Sequence, residues 1–325
     1  MLHNDSGLKK INGKYKGKDI LSLDQFAPQD ILKLYQKTQQ MKKIALAAKP
    51  VKNLAGKIVT IIFYEPSSRT FNSFAAAVKQ LGGQTLEVHD PKTFSSVSKG
   101  ETLEDTIRVF EAYSDAIVIR HNEAGTAKKA ADAAESVPVF NAGDGIGEHP
   151  TQALLDLMTI YDQHKRLDSL TGIMTGDLLN GRTIHSLIRG LSLFENNTIF
   201  LLAPTELKLS RDDYNLFRQR NIKLIEVTQT DDLPRDADFL YWTRVQKERF
   251  KDLVVYEKVK NKFILDKKLL DKMGWKHAII MHPLPRVGEI SKDIDRDKRA
   301  VYLKSQIRNG MYVRMALLDL IIGNK

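Results

Sequence analysis

The sequence predicts an α/β fold with two domains, each a mainly parallel sheet flanked by helices. Its 325 residues are 42% hydrophobic, which is enough for a sizeable core and suits two domains better than one. Short runs rich in Ile, Val and Phe alternate along the chain with segments of helical periodicity. Strands that alternate with helices predict parallel sheets joined by right-handed crossovers.

The predicted strands are short apolar runs, as expected of strands that are buried on both faces of a sheet. They occupy residues 58–64, 116–119, 137–140, 198–203, 222–227, 239–242 and 278–281. Helices are predicted where apolar side chains recur at three- and four-residue steps, at residues 71–81, 153–161, 184–191 and 311–322. The helix that begins near His149 is predicted to connect two α/β units, each of about one domain's length.

The composition excludes several classes of protein. The chain has no cysteine, which rules out disulfides, thiolate nucleophiles and cysteine zinc sites. No apolar stretch reaches the roughly eighteen residues of a membrane span. Residues 1–15 lack an apolar signal core, so we expect a cytoplasmic protein with no membrane partner. The net charge of +10 is spread along the chain without a nucleic-acid-binding motif, and we expect no nucleic-acid partner.

A candidate phosphate site follows the first predicted strand. That strand leads through Glu65-Pro66-Ser67-Ser68-Arg69-Thr70 into a helix. Ligands of open α/β sheets bind beyond the carboxyl ends of strands, and a helix N-terminus there attracts phosphate. The three hydroxyl groups and the Arg69 guanidinium add donors. Helix capping by Ser67 or Ser68 explains the serines equally well.

A second candidate cluster combines an arginine at a strand end with a histidine at a helix start. Arg120 follows the run 116–119, and a buried strand end rarely carries arginine without a partner. A glycine-rich loop then leads to His149-Pro150-Thr151-Gln152, in which proline suits a first helical turn. The helix dipole disfavours an imidazolium there, so we interpret His149 as a neutral hydrogen-bond donor that shares a cleft with Gln152. A capping or surface role is the commoner alternative for a lone histidine at this position.

Three further strand ends carry groups that suit a dicarboxylate. Arg182 opens the helix after the run 172–175, while Arg244 and Gln246 follow the strand at 239–242. The loop His282-Pro283-Leu284-Pro285-Arg286 follows the strand at 278–281. Two arginines can each hold one carboxylate bidentately, and a two-proline loop offers backbone carbonyls to an amine. Taken singly, each arginine is better explained by a structural salt bridge.

Six segments together resemble the aspartate carbamoyltransferase family. They lie, in chain order, at residues 63–70, 98–102, 149–156, 181–183, 243–250 and 282–286, and the resemblance covers residues 19–322. It implies an enzyme that transfers the carbamoyl group of carbamoyl phosphate to the amine of L-aspartate, an early step of pyrimidine biosynthesis. No metal-binding cluster is visible in the sequence, and we expect no cofactor and no metal.

The resemblance also implies a role for each candidate residue. Phosphate binding is implied for Ser67, Ser68, Arg69 and Thr70. Oxyanion stabilisation is implied for Thr70, Arg120 and His149, and contacts to the carbamoyl nitrogen for Gln152, Leu284 and Pro285. Aspartate binding is implied for Lys99, Arg182, Arg244 and Gln246. Ser95 and Lys99 are implied to come from the neighbouring subunit, which predicts a homotrimer with shared active sites and leaves open a dodecamer with regulatory chains.

The resemblance places residues 1–149 and 307–325 in a carbamoyl-phosphate-binding domain and residues 150–306 in an aspartate-binding domain, so that the C-terminal helix returns to the first domain. Two residues depart from the family pattern. Ser68 stands where threonine is usual and keeps the hydroxyl group. Phe71 stands where many members have a basic residue, so phosphate affinity or local pairing is expected to differ there.

Three alternatives remain from the sequence. Ornithine is the nearest alternative acceptor, but its cationic side chain does not suit Arg244 and Gln246, and ornithine-using relatives carry a cysteine that this chain lacks. A basic nucleic-acid-binding protein would show salt-dependent binding to random DNA without carbamoyl transfer. An inactive paralogue that scaffolds a partner is disfavoured, because every site position holds a suitable residue.

Overall fold

The structure is a computed structural model that describes residues 7–94, 96–247, 250 and 252–324. The chain divides into two compact units. The first unit comprises the described residues up to Leu155 together with those from Arg308 onward, and the second unit spans Asp156–Ile307. Both divisions fall inside helices, a short distance after the boundaries expected at 149/150 and 306/307.

A four-stranded parallel sheet with the order β2-β1-β3-β4 forms the centre of the first unit. Its strands are β1 (Ile58–Phe63), β2 (Gln84–His89), β3 (Ala116–His121) and β4 (Val139–Asp144). Three of them match predicted runs, with β4 beginning two residues later than the run at 137–140 and continuing to Asp144. β2 was not predicted, because it lies at the sheet edge and mixes exposed polar residues with half-buried apolar ones.

The helices of the first unit cover this sheet and include the predicted helix over 71–81. They are α1 (Pro28–Ala47), α2 (Ser68–Gln80), α3 (Pro91–Phe94), α4 (Leu103–Glu111), α5 (Thr126–Ala133), the start of α6 (Pro150–His164) and most of α11 (Ser305–Ile322). Apolar side chains of α2 and β1 are fully buried, among them Phe74, Val78 and Ile61. The predicted return of the C-terminal helix is confirmed, since the Gly17 amide donates to Ile321 O at 3.1 Å and Asn53 Nδ2 donates to Asp319 Oδ1 at 2.8 Å.

The second unit contains a five-stranded parallel sheet with the order β7-β6-β5-β8-β9. Its strands are β5 (Thr171–Thr175), β6 (Thr198–Leu202), β7 (Lys223–Val227), β8 (Phe239–Trp242) and β9 (Ile279–Met281). Its helices include the rest of α6, α7 (Arg182–Leu191), α8 (Arg211–Arg218), α9 (Leu253–Val259) and α10 (Lys267–Met273). Trp242 and Trp275 are buried in its core, and each indole nitrogen donates to a backbone carbonyl, at 3.0 and 2.7 Å. Large aromatic surfaces are thus buried without an unsatisfied donor.

The predicted fold class is confirmed, because both sheets are parallel and both are flanked by helices. Among the described residues, no helix has the length and apolar character that crossing a bilayer requires.

Candidate functional site

In the first unit, the carboxyl ends of three neighbouring strands meet at one sheet edge. β1 lies beside β3 with Phe63 opposite Arg120, and β3 lies beside β4 with His121 opposite Asp144. The loop after β1 leads into α2, and the loop after β4 leads into α6. The topology therefore brings the two predicted helix starts and Arg120 to the same edge, as expected for a ligand site of an open sheet.

The start of α2 presents the predicted phosphate-binding group. Ser67 is the N-cap residue, yet its side chain makes no capping hydrogen bond, so capping does not explain why serine stands there. Ser68 and Arg69 are exposed in the first turn, whereas Thr70 is buried. A helix N-terminus surrounded by hydroxyl groups and a guanidinium is well suited to an anion.

Thr70 and His149 lie together although 79 residues separate them in the sequence. Thr70 Oγ1 lies 3.3 Å from His149 Nε2, and the two side chains are 8% and 3% exposed. His149 precedes the first residue of α6, and its carbonyl accepts from the amides of Gln152 and Ala153 at 3.0 and 3.2 Å. Both groups can donate hydrogen bonds in a buried environment, where such bonds to a developing charge are strongest.

Arg120, the penultimate residue of β3, is a buried cation with partners on both sides. Its Nη2 donates to Glu65 Oε1 at 2.9 Å, and its Nη1 donates to the carbonyl of Ala142 at 3.1 Å. The expectation that this arginine needs a partner is confirmed. The guanidinium is held in a defined orientation between Glu65, in the loop that follows β1, and Ala142, in β4.

Glu148 anchors the residue before His149, and the sequence alone did not single it out. Its carboxylate is buried and accepts from Ser22 Oγ at 2.5 Å and from the Leu23 amide at 3.0 Å. The Glu148 amide in turn donates to Asp144 Oδ1 at 2.9 Å. The sequence does show a carboxylate next to a candidate histidine. It does not show the partners of that carboxylate, which lie more than a hundred residues earlier.

Phe71, the departure from the family pattern, packs inside the first unit. Its side chain is 1% exposed, contacts Phe63 edge-on with ring centroids 5.1 Å apart, and stacks on His89 at 3.8 Å. The residue forms part of an aromatic cluster between α2 and the sheet. In this protein the position therefore contributes packing, with the exposed His89 as the nearest ionisable ring.

In the second unit, three neighbouring strands again end at one edge of the sheet. β5 lies beside β8 with Thr175 opposite Trp242, and β8 lies beside β9 with Tyr241 opposite Met281. The segments that follow them carry the residues predicted for aspartate and for the carbamoyl nitrogen. Gly176 allows this crowding, because its φ is +121° and a Cβ there would lie 2.2 Å from the carbonyl oxygen of Thr243.

Gln246 reaches the turn that follows β5. Its Nε2 lies 3.4 Å from Asp177 Oδ2 and 3.3 Å from the Asn180 carbonyl oxygen. Asp177 is fully buried, and burial raises its pKa against the opposing hydrogen bonds from Asn180 and Gln246. Asp177 is therefore a neighbour of the predicted aspartate site that the sequence did not single out. The half-buried Arg182 begins α7, and the half-buried Arg244 follows β8.

The loop with Leu284 and Pro285 is shaped by a buried histidine. His282 Nδ1 accepts from the Leu284 amide at 2.7 Å, so the ring proton lies on Nε2, which donates to Glu289 Oε1 at 2.6 Å. Glu289 Oε2 also accepts from the amides of Val287 and Gly288, at 3.1 and 3.0 Å. Leu284 has a φ of +59°, a conformation that a bulky side chain adopts only when its surroundings impose it.

Burial of Glu289 favours its neutral form, but the hydrogen bonds from His282 and the backbone outweigh burial and hold its pKa below the ordinary value. At the other end of the loop, the His282 amide donates to Gln306 Oε1 at 3.0 Å. Gln306 and Tyr241 each donate to the buried carboxylate of Asp156, at 2.8 and 2.9 Å. The loop is thus fixed from both ends.

The two residues expected from a neighbouring subunit differ in what the structure describes. Lys99 ends the 3₁₀ helix Ser96–Lys99 in the first unit and is exposed. Ser95 lies outside the described residues. Among the residues that are described, no group of His, Asp and Glu is arranged to hold a metal ion.

Comparison with known families matches two successive parts of the chain, and the second match runs on into the C-terminal segment that packs with the first unit. Residues 18–162 match the carbamoyl-phosphate-binding domain of the aspartate/ornithine carbamoyltransferases. Residues 168–321 match the aspartate/ornithine-binding domain of the same group.

Individual relatives are similar over almost the whole chain. The aspartate carbamoyltransferase catalytic subunit of Methanocaldococcus jannaschii is 44% identical over 94% of this chain and 98% of its own length. The chloroplastic aspartate carbamoyltransferase of Arabidopsis thaliana is 43% identical over 95% of this chain and 79% of its own. A solved Trypanosoma cruzi aspartate transcarbamoylase, in complex with carbamoyl phosphate and aspartate, has a TM-score of 0.86 at 36% identity, covering 97% of this chain and 99% of that one.

Proposed function

This chain belongs to the aspartate/ornithine carbamoyltransferase family, and we propose that it is an aspartate carbamoyltransferase that forms N-carbamoyl-L-aspartate and phosphate. The proposal is carried by the buried Thr70–His149 pair, together with Arg120 at the carboxyl end of the neighbouring strand β3. It is supported by relatives named for this activity and by a solved neighbour that holds both substrates.

The chemistry needs one bond formed and one broken. The neutral amine of aspartate attacks the carbamoyl carbon, so that a C–N bond forms and the carbonyl oxygen becomes negatively charged. The tetrahedral intermediate collapses with cleavage of the C–O bond to phosphate. The leaving phosphate takes the proton that the nitrogen loses. The step needs no enzyme nucleophile and no redox partner, and positioning and electrostatic stabilisation carry the catalysis.

In the first unit, the start of α2 binds the phosphate through Ser67, Ser68, Arg69 and Thr70. Thr70, Arg120 and His149 donate to the developing oxyanion, and Gln152 accepts from the carbamoyl amino group. The 3.3 Å hydrogen bond between Thr70 Oγ1 and His149 Nε2 supports a shared target, since both groups can contact one substrate oxygen when that oxygen replaces the bond between them.

In the second unit, Arg182, Arg244 and Gln246 bind aspartate, and the carbonyls of Leu284 and Pro285 accept from the carbamoyl and amine nitrogens. Two guanidinium groups match the two carboxylates of aspartate, and each pairs bidentately with one of them. The meeting of three strand ends at one edge supports this assignment. Asp177 contributes by orienting Gln246.

The proposed assembly is a homotrimer in which Ser95 and Lys99 enter the neighbouring subunit's site. Exposure of Lys99 supports the proposal, because an exposed lysine is available to a second chain. Mixing separately inactive Lys99→Ala and Arg69→Ala chains, with subunit exchange, should restore carbamoyl transfer if sites are shared. No restoration, from trimers shown to exchange, would leave each site within one chain. Residence in the cytoplasm and association with regulatory chains stay predictions.

The decisive experiment supplies carbamoyl phosphate with L-aspartate, L-ornithine or no acceptor, and quantifies the carbamoylated product. We expect product with aspartate alone, and its loss in Arg244→Ala at unchanged thermal stability. Product with ornithine alone would keep the family assignment and reject the proposed acceptor. No product with either acceptor from the folded protein would reject the proposed function.

A further inference from the structure

We propose that Arg314 is a positioning residue that sets the geometry of the carbamoyl-phosphate half-site; the inference rests on the proposed function of that half-site. Arg314 lies on α11 and is 3% exposed. Its Nη1 donates to Ser73 Oγ on α2 at 3.0 Å, and its Nη2 donates to Thr151 Oγ1 on α6 at 3.2 Å. One guanidinium therefore ties together the two helices whose first turns carry the substrate-binding residues.

The two acceptors, on Ser73 and Thr151, lie close in the sequence to residues that are proposed to bind substrate. Ser73 lies one turn after Thr70 on α2, and Thr151 lies between His149 and Gln152. A guanidinium is planar and its donors are fixed relative to each other, so the two hydroxyl oxygens are held at a defined separation. The Thr70–His149 distance of 3.3 Å follows from the relative placement of these same helix ends. Arg314 thus acts on the reacting groups through Ser73 and Thr151.

The protein makes specific room for this guanidinium. Arg314 Cζ lies 5.1 Å from the centroid of the Phe74 ring, at the distance of a cation–π contact. One turn earlier on α11 stands Gly310, where a Cβ would come within 2.8 Å of Arg314 Nη1 and 3.2 Å of Leu155 Cδ2. Glycine inside a helix costs about 1 kcal/mol relative to alanine. A methyl group at Gly310 would push the guanidinium away from Ser73, so glycine here leaves the room that Arg314 uses.

A purely structural role for Arg314 makes a different prediction from a positioning role. If the residue only fastened α11 to the first unit, ligand affinity would fall only in variants that also lose stability. Gly310→Ala separates the two roles, because it displaces the guanidinium while it improves the helix propensity of α11.

The test measures binding of carbamoyl phosphate and of inorganic phosphate to the full chain by calorimetry, together with thermal unfolding. For Gly310→Ala we expect both dissociation constants to rise on the order of tenfold, because small displacements of positioning groups are costly. Any fall in the unfolding temperature should be small, because the gain of about 1 kcal/mol in helix propensity offsets part of the lost hydrogen bonding. The KM for carbamoyl phosphate should rise likewise, with the KM for aspartate unchanged at saturating carbamoyl phosphate.

A matched pair at Thr151 provides the control. Thr151→Val keeps the shape and removes the acceptor, whereas Thr151→Ser keeps the acceptor and should bind phosphate more tightly than the valine variant. Wild-type affinity in both Gly310→Ala and Thr151→Val, or losses that follow the unfolding temperature, would overturn the positioning role. A wild-type protein that binds phosphate but forms no carbamoyl-aspartate would instead overturn the proposed function, and the phosphate titrations would still decide the role of Arg314. A wild-type protein that binds neither ligand would reject both.

Discussion

The Thr70–His149 pair is held in place by residues distant in the sequence, whereas the His282–Glu289 loop is held mainly by residues close in the sequence. Both fix polar groups at the carboxyl edge of a parallel sheet. The first pair joins residues 79 positions apart and depends on ties that reach further, to Ser22 across 126 positions and to Arg314 across 163. The loop is closed by contacts that span 2 and 7 positions, and a longer tie through Gln306 holds its start. One arrangement depends on the assembled unit, and the other is determined largely within one short segment.

The largest effect is expected when one donor of the Thr70–His149 pair is removed. Thr70→Val keeps the shape of the side chain but removes the hydroxyl beside His149. Loss of one donor to an oxyanion lowers turnover on the order of 10²–10³-fold. Steady-state rates of carbamoyl transfer measure it, with Thr70→Ser as the matched variant that retains the hydroxyl. Equal turnover in the valine and serine variants would remove Thr70 from the proposed oxyanion site.

An intermediate effect is expected when the local loop is broken. Glu289→Gln leaves donors of His282, Val287 and Gly288 competing for a single carbonyl oxygen, and should cost about 1–3 kcal/mol of stability at pH 7. The pKa of Glu289 is lowered in the folded protein, so its stabilising contribution is present above about pH 4.3 and is lost as the pH falls through the folded pKa. Urea denaturation at several pH values should show wild type and variant converging in acid. A constant difference down to pH 3 would contradict this account.

The smallest effect distinguishes two carboxyl groups in the second unit. The pKa of Asp177 is raised, chiefly by burial, so the folded state holds its proton more tightly than the unfolded chain does. Wild type should therefore lose stability relative to Asp177→Asn as the pH rises above about 3.9, with a difference below about 1 kcal/mol at lower pH. This trend is opposite in sign to that of Glu289, and the same denaturation series measures both. A pH-independent difference would show that Asp177 does not titrate differently on folding.

Strands covered on both faces were easier to predict from the sequence than a strand at the edge of a sheet. The run at 239–242 matches β8 because a strand covered on both sides has an uninterrupted apolar sequence. β2 was missed because only part of each side chain is covered at the sheet edge, which leaves Gln84, Glu87 and His89 in the pattern. The residue pattern of an individual strand also does not reveal the order of the strands in the sheet. That order alone decides that Arg120 lies beside the loop leading to α2.

The site shows the same limit. Side chains such as Arg69 and Arg244 could be selected because their chemistry and their place after a strand are visible in the sequence. Glu148 and Arg314 could not, because their roles depend on partners whose proximity only the folded chain reveals. The resemblance to a known family supplied roles for individual residues, but it gave no account of what holds those residues in place.

The discontinuous first unit has a consequence for synthesis on the ribosome. The start of α2 and the start of α6 emerge early, but Arg314 is translated only after all of Asp156–Ile307. Domains usually fold as they emerge, N-terminal part first. In this chain the contacts of Ser73 and Thr151 with Arg314 can form only after the second unit has been translated. A chain that ends before residue 314 therefore lacks the guanidinium that joins α2 to α6.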